Sequence, residues 1–127
     1  MNLIDGILNG EFLHIIFPDG LKEDVYVGHL GLDPGADFSL NIHVKQKPNR
    51  EIAKWGVWGE NYDTIVIALL GTRIDDIQIS GWKNIDFQKI NYTYDNERYR
   101  LESEGMEWKI QFTFQTLTFQ QCRTYMS

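Results

Sequence analysis

The stretch Tyr62–Leu70, YDTIVIALL, constrains the fold more than any other. Its core is the β-branched run Thr64, Ile65, Val66 and Ile67, whose stiff χ1 angles cost a helix conformational freedom and fit a pleated surface. Nine nearly continuous apolar residues have strand length, so the stretch reads as a central strand buried on both faces. Gly71 and Thr72 read as a turn. Arg73–Gly81 then alternates, with Ile77 and Ile79 on one face and Asp76, Gln78 and Ser80 on the other, as in a half-buried strand. A two-residue connection cannot support a parallel crossover, so the two segments are expected to form an antiparallel hairpin, bracketed by Trp55 and Trp82.

The remaining segments follow the same period. Residues 24–32 (DVYVGHLGL) read as a strand after the Pro18-Asp19-Gly20 turn. Residues 37–46 (DFSLNIHVKQ) alternate most cleanly, with Phe38, Leu40, Ile42 and Val44 on one side. Residues 85–94 alternate with a phase slip between Phe87 and Ile90 that suggests a bulge. Residues 99–102 and 108–114 continue the pattern, and 117–125 fit a last strand or a short helix. At the start, Leu3, Ile4, Ile7 and Leu8 mark a short N-terminal helix stopped by Gly10, and Glu11–Phe17 (EFLHIIF) reads as a strand. Strands joined by tight turns make a mostly β, all-β or α+β, fold: an antiparallel meander, curled or two-layered. No repeat or linker interrupts the 127 residues, so residues 1–127 are expected to form a single domain.

Aromatic residues make up 13% and hydrophobic residues 43% of the chain, enough for a packed core. No stretch reaches the roughly 18 apolar residues of a membrane helix. The acidic N-terminus lacks the basic region of a secretory signal, and the single Cys122 excludes an internal disulfide, so a cytoplasmic location is expected. The net charge of −6 is unevenly placed: residues 1–40 hold seven acids and one base, whereas the rest of the chain is balanced. Such a segment repels phosphate backbones and attracts basic partners, so nucleic acid is not an expected partner.

Chemistry-bearing clusters are weak. His14, His29 and His43 fall one per strand without metal-ligand spacing, so no metal or other cofactor is expected. Asp75 and Asp76, adjacent on a strand, point to opposite faces and cannot share a proton. Cys122 has no activating neighbour in sequence and reads as a buried thiol. Trp55 and Trp58 with Tyr62 read either as a lid on the core or as the lining of a pocket.

From residue 40 onward the order of features resembles a bacterial family, immunity protein family 50, encoded beside toxin genes in polymorphic toxin systems. The resemblance rests on the strand SLNIHV, on Lys54-Trp55, and on the Gly59-Glu60-Asn61-Tyr62-Asp63 approach to IVIALL. It continues through IDDIQISGW, ending in Gly81-Trp82, and the closing pair WKIQFTF and LTFQQCRTY. It covers about two thirds of the chain, by predicted strand order. The resemblance implies a cytosolic, non-catalytic inhibitor that binds a cognate toxin domain, and it carries over no functional residues. The charge pattern adds candidate partner-binding residues: Asp19, Glu23, Asp24, Asp33 and Asp37, on turns and strand ends of the acidic third. A β module binding a small ligand at Trp55, Trp58 and Tyr62 is the alternative, and a histidine-based hydrolase ranks behind both. The expected state is a monomer or a weak homodimer through an exposed edge strand.

Overall fold

The computed structural model describes residues 1–127. The strands in chain order are β1 (Ile7–Leu8), β2 (Val25–Leu32), β3 (Phe38–Val44), β4 (Thr64–Thr72), β5 (Asp75–Ser80), β6 (Asn91–Asp95), β7 (Arg98–Glu104), β8 (Lys109–Phe114) and β9 (Thr116–Tyr125). One α-helix, α1 (Glu11–Ile16), and three single 3-10 turns complete the elements. The strands form two sheets, ordered β1-β9-β4-β3-β2 and β5-β8-β7-β6, antiparallel except for the β1–β9 pair. The fold is therefore mostly β and two-layered, as the alternation implies. Each sheet contains a meander, β2-β3-β4 in one and β6-β7-β8 in the other. No helix is long and apolar enough to cross a membrane.

β4 is the middle strand of the five-stranded sheet, between β3 and β9. Alternation on β3 puts Phe38, Leu40, Ile42 and Val44 inward, all buried, while Ile65, Ile67 and Leu69 of β4 do the same. Across the gap stand Leu101 of β7 and Ile110, Phe112 and Phe114 of β8, each fully buried. Phe38 joins the layers: its ring meets those of Phe112 and Phe114 edge-on, at 5.7 Å from each. Each such side chain contributes roughly 1.5–3 kcal/mol by burial, and aromatic pairing adds about 0.5–1.5 kcal/mol.

Several expectations are corrected. β4 and β5 do not form a hairpin: β5 pairs with β8, in the other sheet. Gly71 and Thr72 remain inside β4, because Gly71 lies opposite Phe38 and beneath its ring, where any Cβ would overlap. The reversal falls at Arg73, with φ 52°, and buried Ile74 then anchors the crossing by donating its N–H to the Ala36 carbonyl at 2.9 Å. A bulge between Asp75 and Gln78 makes β5 irregular, and Ile77 and Ile79 lie exposed on a sheet edge rather than in the core.

Glu11–Phe17 is not a strand. Leu13, Ile16 and Phe17 are buried at spacings of three and four, the period of a helix face, and Gly10 opens α1 rather than ending an earlier helix. The expected N-terminal helix shrinks to a 3-10 turn at Leu3–Gly6 followed by β1. Of residues 85–94 only 91–94 are strand, within β6; Gln88 instead makes an isolated bridge to Val25. Residues 116–125 are strand throughout.

Two substitutions test this packing. Gly71→Ala drives a Cβ into the Phe38 ring and is expected to lower stability by about 2–3 kcal/mol, seen as a lower urea midpoint at unchanged m-value. Tyr92 stacks on Tyr99 at 5.3 Å and buries its hydroxyl without a hydrogen-bond partner. Tyr92→Phe removes that group and is expected to stabilise the fold by about 1 kcal/mol; a loss of stability would show an unrecognised partner for the hydroxyl.

Candidate functional site

The five-stranded sheet carries no carboxylate. None of the residues of β1, β2, β3, β4 or β9 is Asp or Glu, in a chain with 18 acids. The second sheet holds Asp75, Asp76, Asp95, Glu102 and Glu104. Because strand side chains alternate, the residues not directed at the core form the outer face of the acid-free sheet. Register places Tyr26 opposite His43, His43 opposite Val66, and Val66 opposite Arg123, with Tyr125 beside them opposite Thr64.

These side chains hold one another. The Tyr125 hydroxyl and His43 Nδ1 share a hydrogen bond of 2.8 Å, and Tyr26 packs against the His43 ring at 5.5 Å. Phe87 lies 5.4 Å from the Tyr26 ring, and Lys45 Nζ sits 4.9 Å above Phe87. Gly28 makes room: a Cβ there would overlap the His43 imidazole. Val66, on this outer side, is fully buried, although it is not part of the core cluster. Behind Tyr125, the Asp63 carboxylate accepts from the Ser127 N–H at 2.9 Å and the Ser127 hydroxyl at 2.7 Å, while the Asp63 N–H donates to the Tyr125 carbonyl. The Ser127 bonds hold the Asp63 pKa below its ordinary value, with help from Thr64 and Lys45. His43 is also held below its ordinary pKa, first by burial and then by Arg123, so the neutral ring is favoured.

The candidates drawn from sequence are more dispersed. All five acids are exposed, but they divide between the two ends of β2: Asp19, Glu23 and Asp24 precede it, and Asp33 and Asp37 follow it. An eight-residue strand separates the groups by roughly 25 Å. Asp19 also faces Lys22 at 3.7 Å. The tryptophans share Tyr62, whose ring lies 5.8 Å from Trp55 and 5.4 Å from Trp58. They line different hollows, however. Trp58 and Tyr62 border one of about 230 Å³ with the 47–51 loop, and Trp55 borders one of about 290 Å³ with Phe12, Phe119 and Cys122. The first falls below the roughly 300–1,000 Å³ of ligand pockets, and the second lies at the lower end of that range. Trp55 and Tyr62 are themselves buried in the core. Burial pushes the Cys122 thiol up to about 12, against a smaller opposing effect of Lys54, which disfavours the reactive thiolate.

The histidines do not converge. His14 is exposed on α1, His29 Nε2 pairs with Ser39 Oγ at 3.0 Å, and His43 is held by Tyr125. Asp75 and Asp76 sit on the exposed bulge of β5, where Asp75 Oδ1 accepts from the Asp76 N–H at 2.9 Å.

Comparison with protein-family models gives a match to Immunity protein 50 over residues 19–125. The chain belongs to this family. No curated protein and no solved structure matches it. The Immunity protein 50 match begins after α1 and runs to the end of β9, so it contains every strand of both sheets except β1. It also includes all of the outer-face cluster. Sequence reasoning named His43 only as a histidine without metal-ligand spacing, and missed Tyr26, Lys45, Phe87, Arg123 and Tyr125. A signal was present: the polar positions Ser39, Asn41, His43 and Lys45 that follow Asp37 include no further acid.

The pH dependence of stability follows from His43. Its folded pKa lies below the ordinary 6.5, so the unfolded chain takes up the proton first as pH falls. The stabilisation is complete above about 6.5 and is lost as pH drops from there through the folded pKa. His43→Gln is expected to show a shallower fall of Tm between about pH 7 and pH 5 than the parent. Parallel curves would mean that His43 does not carry this dependence.

Proposed function

We propose that this protein is a non-catalytic immunity protein that binds a cognate toxin domain in the cytoplasm and neutralises it. The observation that carries this reading is membership of Immunity protein 50 over residues 19–125. The fold supports it as a scaffold for a protein surface: the acid-free sheet exposes tyrosines and basic groups, whose interlocked packing limits the entropy lost on binding. On this reading the protein acts as a single domain, monomeric or weakly dimeric, and its partner is a protein rather than nucleic acid or membrane.

Electrostatic steering is part of the proposal. Asp19, Glu23, Asp24, Asp33 and Asp37 are exposed at both ends of β2, and a net charge of −6 draws a basic partner over distances of about a Debye length. The two groups bracket the open edge of the sheet, so their field acts on approach rather than through one contact.

The test is rescue. The toxin domain encoded beside this gene is expressed in a sensitive bacterium with and without the protein, and survivors are counted. Restored survival and copurification at physiological salt are expected; killing regardless of the protein would overturn the reading. Reversal of three acids, Glu23→Lys, Asp24→Lys and Asp37→Lys, is expected to slow association about tenfold or more and to flatten its salt dependence. Unchanged rates and salt slope would remove these acids from the mechanism.

A further inference from the structure

From the outer face of the five-stranded sheet we infer the contact surface itself, an inference that rests on the immunity reading and deepens it. The cluster Tyr26–His43–Tyr125, with Phe87 and the cations Lys45 and Arg123, is the centre at which the toxin domain docks. The recognised feature is a surface carboxylate of the toxin set among apolar groups.

Three observations carry this. First, the composition is that of an interface centre: tyrosine and arginine are the residues that dominate binding energy, and acids are depleted there. Here the depletion is complete across five strands, in a chain otherwise rich in acids. Second, the cluster is built before any partner arrives. The Tyr125 hydroxyl is fixed to His43, Tyr26 is clamped between His43 and Phe87, and the Asp63–Ser127 bonds hold the end of β9 in place. Rigid aromatic anchors lose little freedom on binding. Gly28 admits the histidine ring at the cost of leaving a strand residue without a side chain. Third, the charge on the face has one sign. Lys45 and Arg123 are exposed, and neither makes an ion pair within the chain. A carboxylate from a partner pairs with either cation without displacing an ion pair within the chain.

Size fits as well. Four strands spaced about 4.8 Å apart, each roughly 25 Å long, present about 500 Å² in projection. That is short of the ~800 Å² per partner of a standard interface. The footprint therefore extends onto the rim, where the acids at both ends of β2 stand ready for basic groups of the same partner. An apolar centre with a charged rim results. An aromatic face with cations also suits single-stranded nucleic acid, but two cations on a chain of charge −6 leave little attraction for a phosphate backbone.

The experiment compares four proteins against the neighbouring-gene toxin domain by calorimetry and by rescue: the parent, Lys45→Glu with Arg123→Glu, Tyr125→Ala, and the charge-matched control Lys83→Glu with Lys109→Glu. Lys83 and Lys109 are exposed and lie outside the acid-free sheet. The expected result is at least a tenfold rise in Kd for the first two variants and little change for the control. If Tyr125→Ala lowers Tm substantially, the exposed double reversal decides. A parent that neither binds nor rescues overturns the functional reading and this one together. A parent that binds equally well after the Lys45 and Arg123 reversals leaves the immunity reading standing and overturns this face. Binding of a fluorescein-labelled 20-nucleotide single strand to the toxin-free parent, lost in the double reversal, assigns the face to nucleic acid instead.

Discussion

The architecture depends on one wedge, the Phe38 ring held between the two sheets. It meets Phe112 and Phe114 of the opposite layer edge-on, and it occupies space over Gly71 that a Cβ on the neighbouring strand would take. Its contacts span the gap between the layers, and the strand that runs beneath it leads on to the crossing at Arg73–Ile74. Gly71 is thus a packing residue, although a glycine after an apolar strand ordinarily signals a turn.

The two faces of the five-stranded sheet show how one alternation serves two ends. Inward positions of β3 and β4 supply the core, and outward positions of β2, β3 and β9 supply Tyr26, His43 and Tyr125. Val66 is where the two meet: a β-branched residue in the middle strand, buried on the solvent side because His43 and Arg123 flank it. The run of four β-branched or apolar residues that marks the central strand is therefore continuous because its outer side is also covered.

Much of the fold was legible in the sequence, and the failures share a cause. β2, β3 and the strand character of 108–114 follow from period-2 patterns whose inward residues are buried, and β4 follows from a continuous apolar run covered on both faces. Glu11–Phe17 failed because EFLHIIF is apolar enough to satisfy both periods, and the distinction depended on Trp55 and Phe119 receiving Phe12. The β4–β5 hairpin failed because local spacing cannot report that Thr72 still belongs to a strand, or that Ile74 is anchored to Ala36. The site was less legible. The acid count by thirds of the chain found the charge, but strand register alone reveals that every acid near β2 lies beyond its ends. It also brings Tyr125 to His43 across 82 positions of sequence.

The position of β9 has a consequence for how the protein comes into being. Residues 116–125 form an inner strand, between β4 and the short β1, rather than an edge. During synthesis the N-terminal strand and the middle strand both wait for this segment, and until it leaves the ribosome β4 presents an unpaired, apolar edge. Pairings this distant in sequence form slowly and leave such edges open to aggregation. The same segment delivers Arg123 and Tyr125, so the outer-face cluster and the finished sheet arrive in one event. Completion of the five-stranded sheet and completion of its outer face are thus a single step of assembly.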